Sequence, residues 1–297
     1  MTEPGEVKGP VIFDQVHVPT LLIPVGPFYI GWVLAAEKLL PTEASFFIAL
    51  VSIFPFLGLG TLFLNDAYDR EVDALSKRKR NYASSTGRVN GGTLKRYAAV
   101  SFATSLLLAL LVSLGFLVII TVLVILAVMY SMPPIQLSRR PGLDLAANAL
   151  GIGILCTIAG WVIAAPSSLP PTAWLVTSAL GTGTFFMLPA LMDYASDEEG
   201  GKMSIVVALG WRRACLLGAT LIGLADVGII YMSLNSIILN PDFLWVAWVI
   251  ILAELIIFPI LAHRRDLMKP LTGAMGGLLF FGNLLIVLSY LGMLGPF

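Results

Sequence analysis

Two acidic runs hold the residues best placed to do chemistry. The first reads Asn65-Asp66-Ala67-Tyr68-Asp69-Arg70-Glu71-Val72-Asp73, and the second Asp193-Tyr194-Ala195-Ser196-Asp197-Glu198-Glu199-Gly200-Gly201-Lys202. A helix turns by roughly 100° per residue, so Asp66, Asp69 and Asp73 fall within about 60° of one another, and Asn65 lies one turn from Asp69. Asp193 and Asp197 also stand one turn apart. Each run thus offers a stripe of oxygen ligands, with Glu71 aimed elsewhere, toward a basic residue or water. Mg²⁺ typically takes one or two carboxylates, several waters and phosphate oxygens. Two facing stripes therefore suit Mg²⁺ ions that clamp a diphosphate, with flanking Arg and Lys adding phosphate contacts. Such a site stabilises a departing diphosphate. The plainer reading of either run is a solvated helix end paired with neighbouring cations, but two runs at matched positions weigh against it.

The elements that must carry these stripes are apolar. The 297 residues are 58% hydrophobic and only 12% charged, whereas soluble domains run nearer 45–50% apolar and about 25% charged. Lipid is the expected solvent. Runs long enough to span a bilayer lie at roughly 19–36, 44–65, 97–115, 116–132, 145–165, 171–192, 214–234, 243–262 and 274–295, with the third and fourth joined at Gly115. The expectation is an all-α membrane protein: a bundle of nine transmembrane helices with cytosolic polar cap loops, in one domain over residues 1–297. Neither a removable signal peptide nor a soluble domain is apparent. The net charge is zero, yet Lys38 is the only one of the 18 Lys and Arg residues that nine spans place opposite the rest. By the positive-inside rule the N-terminus and the polar loops are cytosolic, making this a multi-pass protein of the cell membrane. The acidic runs close the second helix of each of two four-helix sets, which suggests a parallel internal repeat. Cys156 and Cys215 lie in apolar runs and read as free thiols.

At these residues the chain resembles the UbiA superfamily of membrane prenyltransferases. Asn65 to Asp73 matches that family's N-D-x-x-D-x-x-x-D motif, and Asp193 with Asp197 its D-x-x-x-D motif. Gly201-Lys202 and Ser204 to Gly210 resemble the stretch that follows the second motif. Ser85-Thr86-Gly87-Arg88, Tyr130-Ser131-Met132-Pro133-Pro134, and Asp144 with Asn148 resemble further family segments. The likeness covers about residues 13 to 290. It implies Mg²⁺-dependent transfer of a polyprenyl group from a prenyl diphosphate, such as geranylgeranyl diphosphate, to a lipophilic acceptor through an allylic cation. By matching position, Asn65, Asp66, Asp69, Asp73, Asp193 and Asp197 would hold metal, and Asp69, Asp73, Asp193 and Asp197 would be catalytic. Asn65, Lys77, Arg78, Arg80, Arg88, Tyr130, Arg139 and Lys202 are the expected diphosphate contacts. Arg139 takes the place of a Lys found in many relatives, Asn81 follows Arg80 where Arg-Pro is common, and His17 is the polar residue nearest the start of the first helix.

The acceptor is open among the family's substrates. An aromatic quinone precursor comes first, then an archaeal-type glycerol phosphate lipid or a carotenoid. Membrane lipid is an expected partner and nucleic acid is not. The basic run Lys77 to Arg80 also suits anionic headgroups, and Tyr130 an interfacial anchor. Asp226 and Glu254 fall within helices, where interhelical hydrogen bonding in protonated form is the expectation, and His263 reads as structural. A divalent-cation transporter is the rival from another class, but transporters place their sites near the midplane on broken helices.

Overall fold

The computed structural model describes residues 16, 21–76 and 78–294; the sequence expectations for His17 and Lys77 fall outside them. The described residues form an all-helical bundle. Eight helices are long and apolar enough to cross a membrane. With a shorter apolar helix at the start, the long elements in chain order are α1 (Val25–Ala36), α2 (Ala44–Leu75), α3 (Gly91–Val112), α4 (Leu114–Ser131), α5 (Leu143–Ala164), α6 (Thr172–Met192), α7 (Trp211–Leu234), α8 (Phe243–His263) and α9 (Met268–Tyr290). Two short helices, Tyr194–Glu199 and Ile205–Leu209, lie between α6 and α7. The chain is a multi-pass integral membrane protein by the length and apolarity of these helices.

The residue types explain where helices stop and bend. The break between α3 and α4 falls at Ser113, two residues before the expected Gly115, because its hydroxyl caps α4 by accepting from the Phe116 N–H at 3.1 Å. Asn90 caps α3 in the same way, through the Thr93 N–H at 2.8 Å, so α3 starts earlier than its apolar run. Pro55 lies in a π-helical stretch of α2, Ser52–Leu57, where its ring and missing N–H disturb the regular ladder. Beside it, Ser52 and Ser105 each donate to the other's backbone carbonyl, at 2.9 and 3.0 Å, locking α2 to α3. A second π stretch, Ala149–Leu155, interrupts α5. There the Gly153 carbonyl accepts from Ser178 of α6 at 2.9 Å.

Packing follows two apolar clusters. One is built mainly from α1 to α5 and the other from α6 to α9. α1 and α5 approach at backbone distance: Gly31 sits on the Thr157 carbonyl and Gly160 on the Phe28 carbonyl, leaving no room for a Cβ. α1 is thus buried among its neighbours, with Phe28, Trp32 and Val33 almost wholly covered.

Candidate active site

α2 runs past its apolar span and carries the first motif on its last turns. Asp66, Asp69 and Asp73 are all buried, while Arg70 and Glu71 are exposed. The stripe therefore faces inward as its spacing predicts, and Glu71 turns outward toward Arg70 at 3.9 Å. The second motif departs from a simple stripe. α6 ends at Met192, and Asp193 caps it before the short helix Tyr194–Glu199 begins. Asp193 and Asp197 remain one turn apart, since the Asp197 N–H donates to the Asp193 carbonyl at 2.8 Å.

The loop after Asp197 is shaped by its glycines. The Lys202 N–H donates to the Asp197 carbonyl at 2.8 Å and the Gly201 N–H to the Glu198 carbonyl at 3.3 Å. This pair of bonds is the Schellman motif, with Gly201 in the left-handed region at φ +66°. The reversal carries Lys202 back onto the first motif, where its ammonium lies 2.7 Å from Asp69. Asp144, at the start of α5, secures the next turn by accepting from the Ile205 N–H at 2.7 Å.

Four cations join the two motifs. Lys79 lies 2.8 Å from Asp73 and 3.4 Å from Asp193, bridging them with one ammonium. Arg78 meets Asp193 at 2.6 Å, and Arg139 reaches Asp69 at 3.4 Å opposite Lys202. Ser76 adds a hydrogen bond to Asp193 at 3.3 Å. Burial pushes the Asp193 carboxyl up, but Lys79 and Arg78 outweigh it and hold the group below the usual carboxylate range. Burial alone would lower Lys79 and Lys202, yet the facing carboxylates raise both above an ordinary lysine. Asp197 differs: burial pushes it up to about 6, only partly offset by Lys202.

The cluster closes one end of a cavity of about 350 Å³. Asn65, Arg78, Lys79, Asp193, Asp197 and Lys202 line its polar mouth, and Leu123, Leu126, Phe185 and Phe186 are among its apolar walls. Tyr130 and Asn148 also line it. Arg80 is exposed. Arg88 binds its own loop through Thr86 at 3.0 Å and the Asn81 carbonyl at 3.1 Å, so here it organises residues 81–88. Lys79 went unselected in the sequence, because within a run of four basic residues nothing marks the one that turns inward. The bridging role of Ser76 and the pinning role of Asp144 depend on contacts 117 and 61 residues apart, which spacing cannot show.

Among the described residues no three acidic, His or Cys side chains come close enough to hold a metal ion by themselves. That accords with Mg²⁺ chemistry, in which a few carboxylates share the ion with phosphates and water. Among the described residues the buried Oδ2 of Asp73 has no hydrogen-bond partner, a hard oxygen available at the cluster. The donor set fits Mg²⁺ completed by a diphosphate.

A bundle of apolar helices, carrying a polar charge cluster at one end of an apolar cavity, defines a membrane protein built around an amphipathic ligand. The model of the UbiA prenyltransferase family matches residues 25–284, and the chain belongs to that family of prenyltransferases. The fold is shared with a UbiA homologue from Archaeoglobus fulgidus, solved with GPP and Mg²⁺, at 21% identity and TM-score 0.72 over 93% of this chain and 99% of that one. It is also shared with an apo UbiA homologue from Aeropyrum pernix K1, at 16% identity and TM-score 0.69 over 90% and 99%. A digeranylgeranylglyceryl phosphate synthase aligns at 14% identity and TM-score 0.66 over 95% and 98%. No curated protein matches the chain significantly.

Proposed function

We propose that this protein transfers a polyprenyl group from a prenyl diphosphate such as geranylgeranyl diphosphate to a lipophilic acceptor, with Mg²⁺. The observation that carries this reading is the cavity whose mouth is lined by Asn65 of the first motif, Asp193 and Asp197 of the second, and the cations Arg78, Lys79 and Lys202, and whose body is apolar. In it Arg78, Lys79, Arg139 and Lys202 bind the diphosphate oxygens. Asn65, Asp66, Asp69, Asp73, Asp193 and Asp197 would hold Mg²⁺, which neutralises charge on the leaving diphosphate. As the allylic C–O bond breaks, its electron pair leaves on the diphosphate. Leu123, Leu126, Phe185 and Phe186 keep water from the cation. The acceptor attacks it, through carbon in an aromatic or carotenoid acceptor and through a hydroxyl oxygen in a glycerol phosphate lipid, and a motif carboxylate such as Asp73 or Asp193 takes the proton the acceptor loses. Homologues of this fold solved with GPP, or with DMAPP, and Mg²⁺ support the donor class.

An aromatic quinone precursor is the acceptor proposed first, and an archaeal-type glycerol phosphate lipid or a carotenoid second. The chain is taken as one domain over residues 1–297 that crosses the cell membrane nine times, α1 being the first crossing. The distribution of Lys and Arg supports a cytosolic N-terminus and a cytosolic polar mouth. The deciding experiment is diphosphate release from geranylgeranyl diphosphate by the purified protein, with Mg²⁺ or EDTA, against quinone-precursor, glycerol-phosphate and carotenoid acceptors. Release that needs both acceptor and metal is expected. Acceptor-independent or EDTA-resistant release would overturn the reading.

A further inference from the structure

A second cavity of about 360 Å³ lies deeper in the bundle, among α1, α6, α7, α8 and α9. This volume is within the range of small-molecule sites. Ile23, Ile152, Thr182 and Phe185 line both cavities, so the two adjoin. Asp226 lies 15 residues into α7, about 22 Å along the helix from Trp211 at 1.5 Å per residue. The inner cavity is therefore far from the charge cluster. Its wall is mainly aliphatic and aromatic, yet it contains Asp226, Glu254, Asn283 and the indole of Trp174.

Two of these groups are unsatisfied. Asp226 is 6% exposed and Trp174 3% exposed. Among the described residues, Oδ2 of Asp226 and Nε1 of Trp174 each lack a hydrogen-bond partner. Buried polar atoms without partners are uncommon in native proteins and point to a bound ligand or water. The sequence expectation of an interhelical hydrogen bond is not met, for among the described residues none joins Asp226 to Glu254. Both acids line the cavity.

We propose that this inner cavity binds the far, hydroxyl-bearing end of the lipophilic acceptor. The inference rests on the prenyl-transfer reading and deepens it by naming the acceptor's chemistry: the distance from the charge cluster favours the long carotenoid-type acceptor over a short aromatic quinone precursor. A hydroxyl both donates and accepts, so its chemistry suits the Asp226 oxygen as well as the Trp174 N–H. A hydrocarbon prenyl tail would leave both atoms orphaned. Among the described residues no Lys, Arg or His lines the cavity, so a phosphate-bearing end would meet two acids and no counter-charge there. The hydroxyl group is uncharged and suits a site within the membrane.

The test uses the full-length protein in detergent, with its outer cavity filled by Mg²⁺ and the unreactive thiolodiphosphate analogue of geranylgeranyl diphosphate. Calorimetry then compares geranylgeraniol with the hydrocarbon of the same carbon skeleton. The alcohol should bind about tenfold more tightly in the natural protein. That preference should fall below about twofold in Trp174→Phe and in Asp226→Leu, and persist in Asp226→Asn, which keeps an acceptor oxygen. All three variants should bind the analogue with Mg²⁺ as the natural protein does. Equal binding of alcohol and hydrocarbon by the natural protein would overturn the proposal. So would full preference in both Trp174→Phe and Asp226→Leu, leaving water as the cavity's occupant. Failure of the natural protein to bind the analogue with Mg²⁺ would instead overturn the prenyl-transfer reading, and with it the bound alcohol's role as an acceptor.

Discussion

Lys79 is the residue on which the two motifs meet. Its ammonium serves Asp73 and Asp193 at once, and its removal would leave two largely buried carboxylates without their shared counter-charge. Breaking a buried pair from one side costs about 3–5 kcal/mol, so Lys79→Met should lower the melting temperature in metal-free buffer. Mg²⁺ with a prenyl diphosphate should recover much of that loss, and a thermal ramp with and without both ligands measures it. Asp69 is a proposed metal ligand, and Asp69→Ala should lower turnover by at least about 10²-fold in protein that still purifies as a folded membrane protein. Wild-type-like turnover would exclude Asp69 from the metal site. Asp197 adds a pH dependence. Its folded value, raised to about 6 by burial, exceeds that of the unfolded chain, so the folded state binds the extra proton. That contribution to stability is complete below the unfolded value and is lost as pH rises to about 6. Above that pH the carboxylate is ionised and ready for metal. The stabilisation conferred by Mg²⁺ should therefore be larger at pH 7.5 than at pH 5.5, read as the difference in melting temperature.

At the scale of the element, the turn after the second motif decides where a cation is delivered. Gly201 takes a left-handed conformation that side chains resist, and the Schellman turn it closes returns Lys202 to Asp69. Gly201→Ala should cost about 1 kcal/mol in stability. It should also raise the KM for the prenyl diphosphate more than it lowers kcat, because it displaces a binding cation. An unchanged KM in steady-state assays would show that Lys202 does not bind the diphosphate. This element also shows what the sequence made legible. The inward face of Asp66, Asp69 and Asp73 follows from helical period alone, and Glu198-Glu199-Gly200-Gly201 carries a recognisable stop signal. The split of the second motif at Asp193 and the π stretches of α2 and α5 were not readable, since packing partners on other helices stabilise them. Ser178 of α6, accepting the task of satisfying the Gly153 carbonyl, has no mark in the sequence that distinguishes it from other span serines. The shortness of α1 escaped for a similar reason, because hydropathy sees an apolar run from residue 19 and is blind to Pro24 and Val25 as the helix start.

For the whole molecule, the charge distribution and the cavity make one joint demand. The polar mouth lies at the end of the bundle where the loop 76–90, the segment Leu137–Arg139 and the loop 193–210 converge. In the proposed reaction the diphosphate head docks at that mouth and the apolar body takes the lipophilic groups. The positive-inside asymmetry is the ground for proposing a cytosolic mouth. This can be read with two single cysteines, because the natural Cys156 and Cys215 are buried and should react slowly. Thr86 is exposed in the loop beside the mouth, and Ser167 is exposed in the segment joining α5 to α6. In intact cells a membrane-impermeant maleimide should label Ser167→Cys but not Thr86→Cys, and permeabilisation should make Thr86→Cys reactive. The reverse pattern would turn the molecule over and expose its charge cluster to the outside, away from a cytosolic supply of prenyl diphosphate. Labelling of both in intact cells would mean that an even number of crossings separates them, which the three helices α3, α4 and α5 between them do not permit.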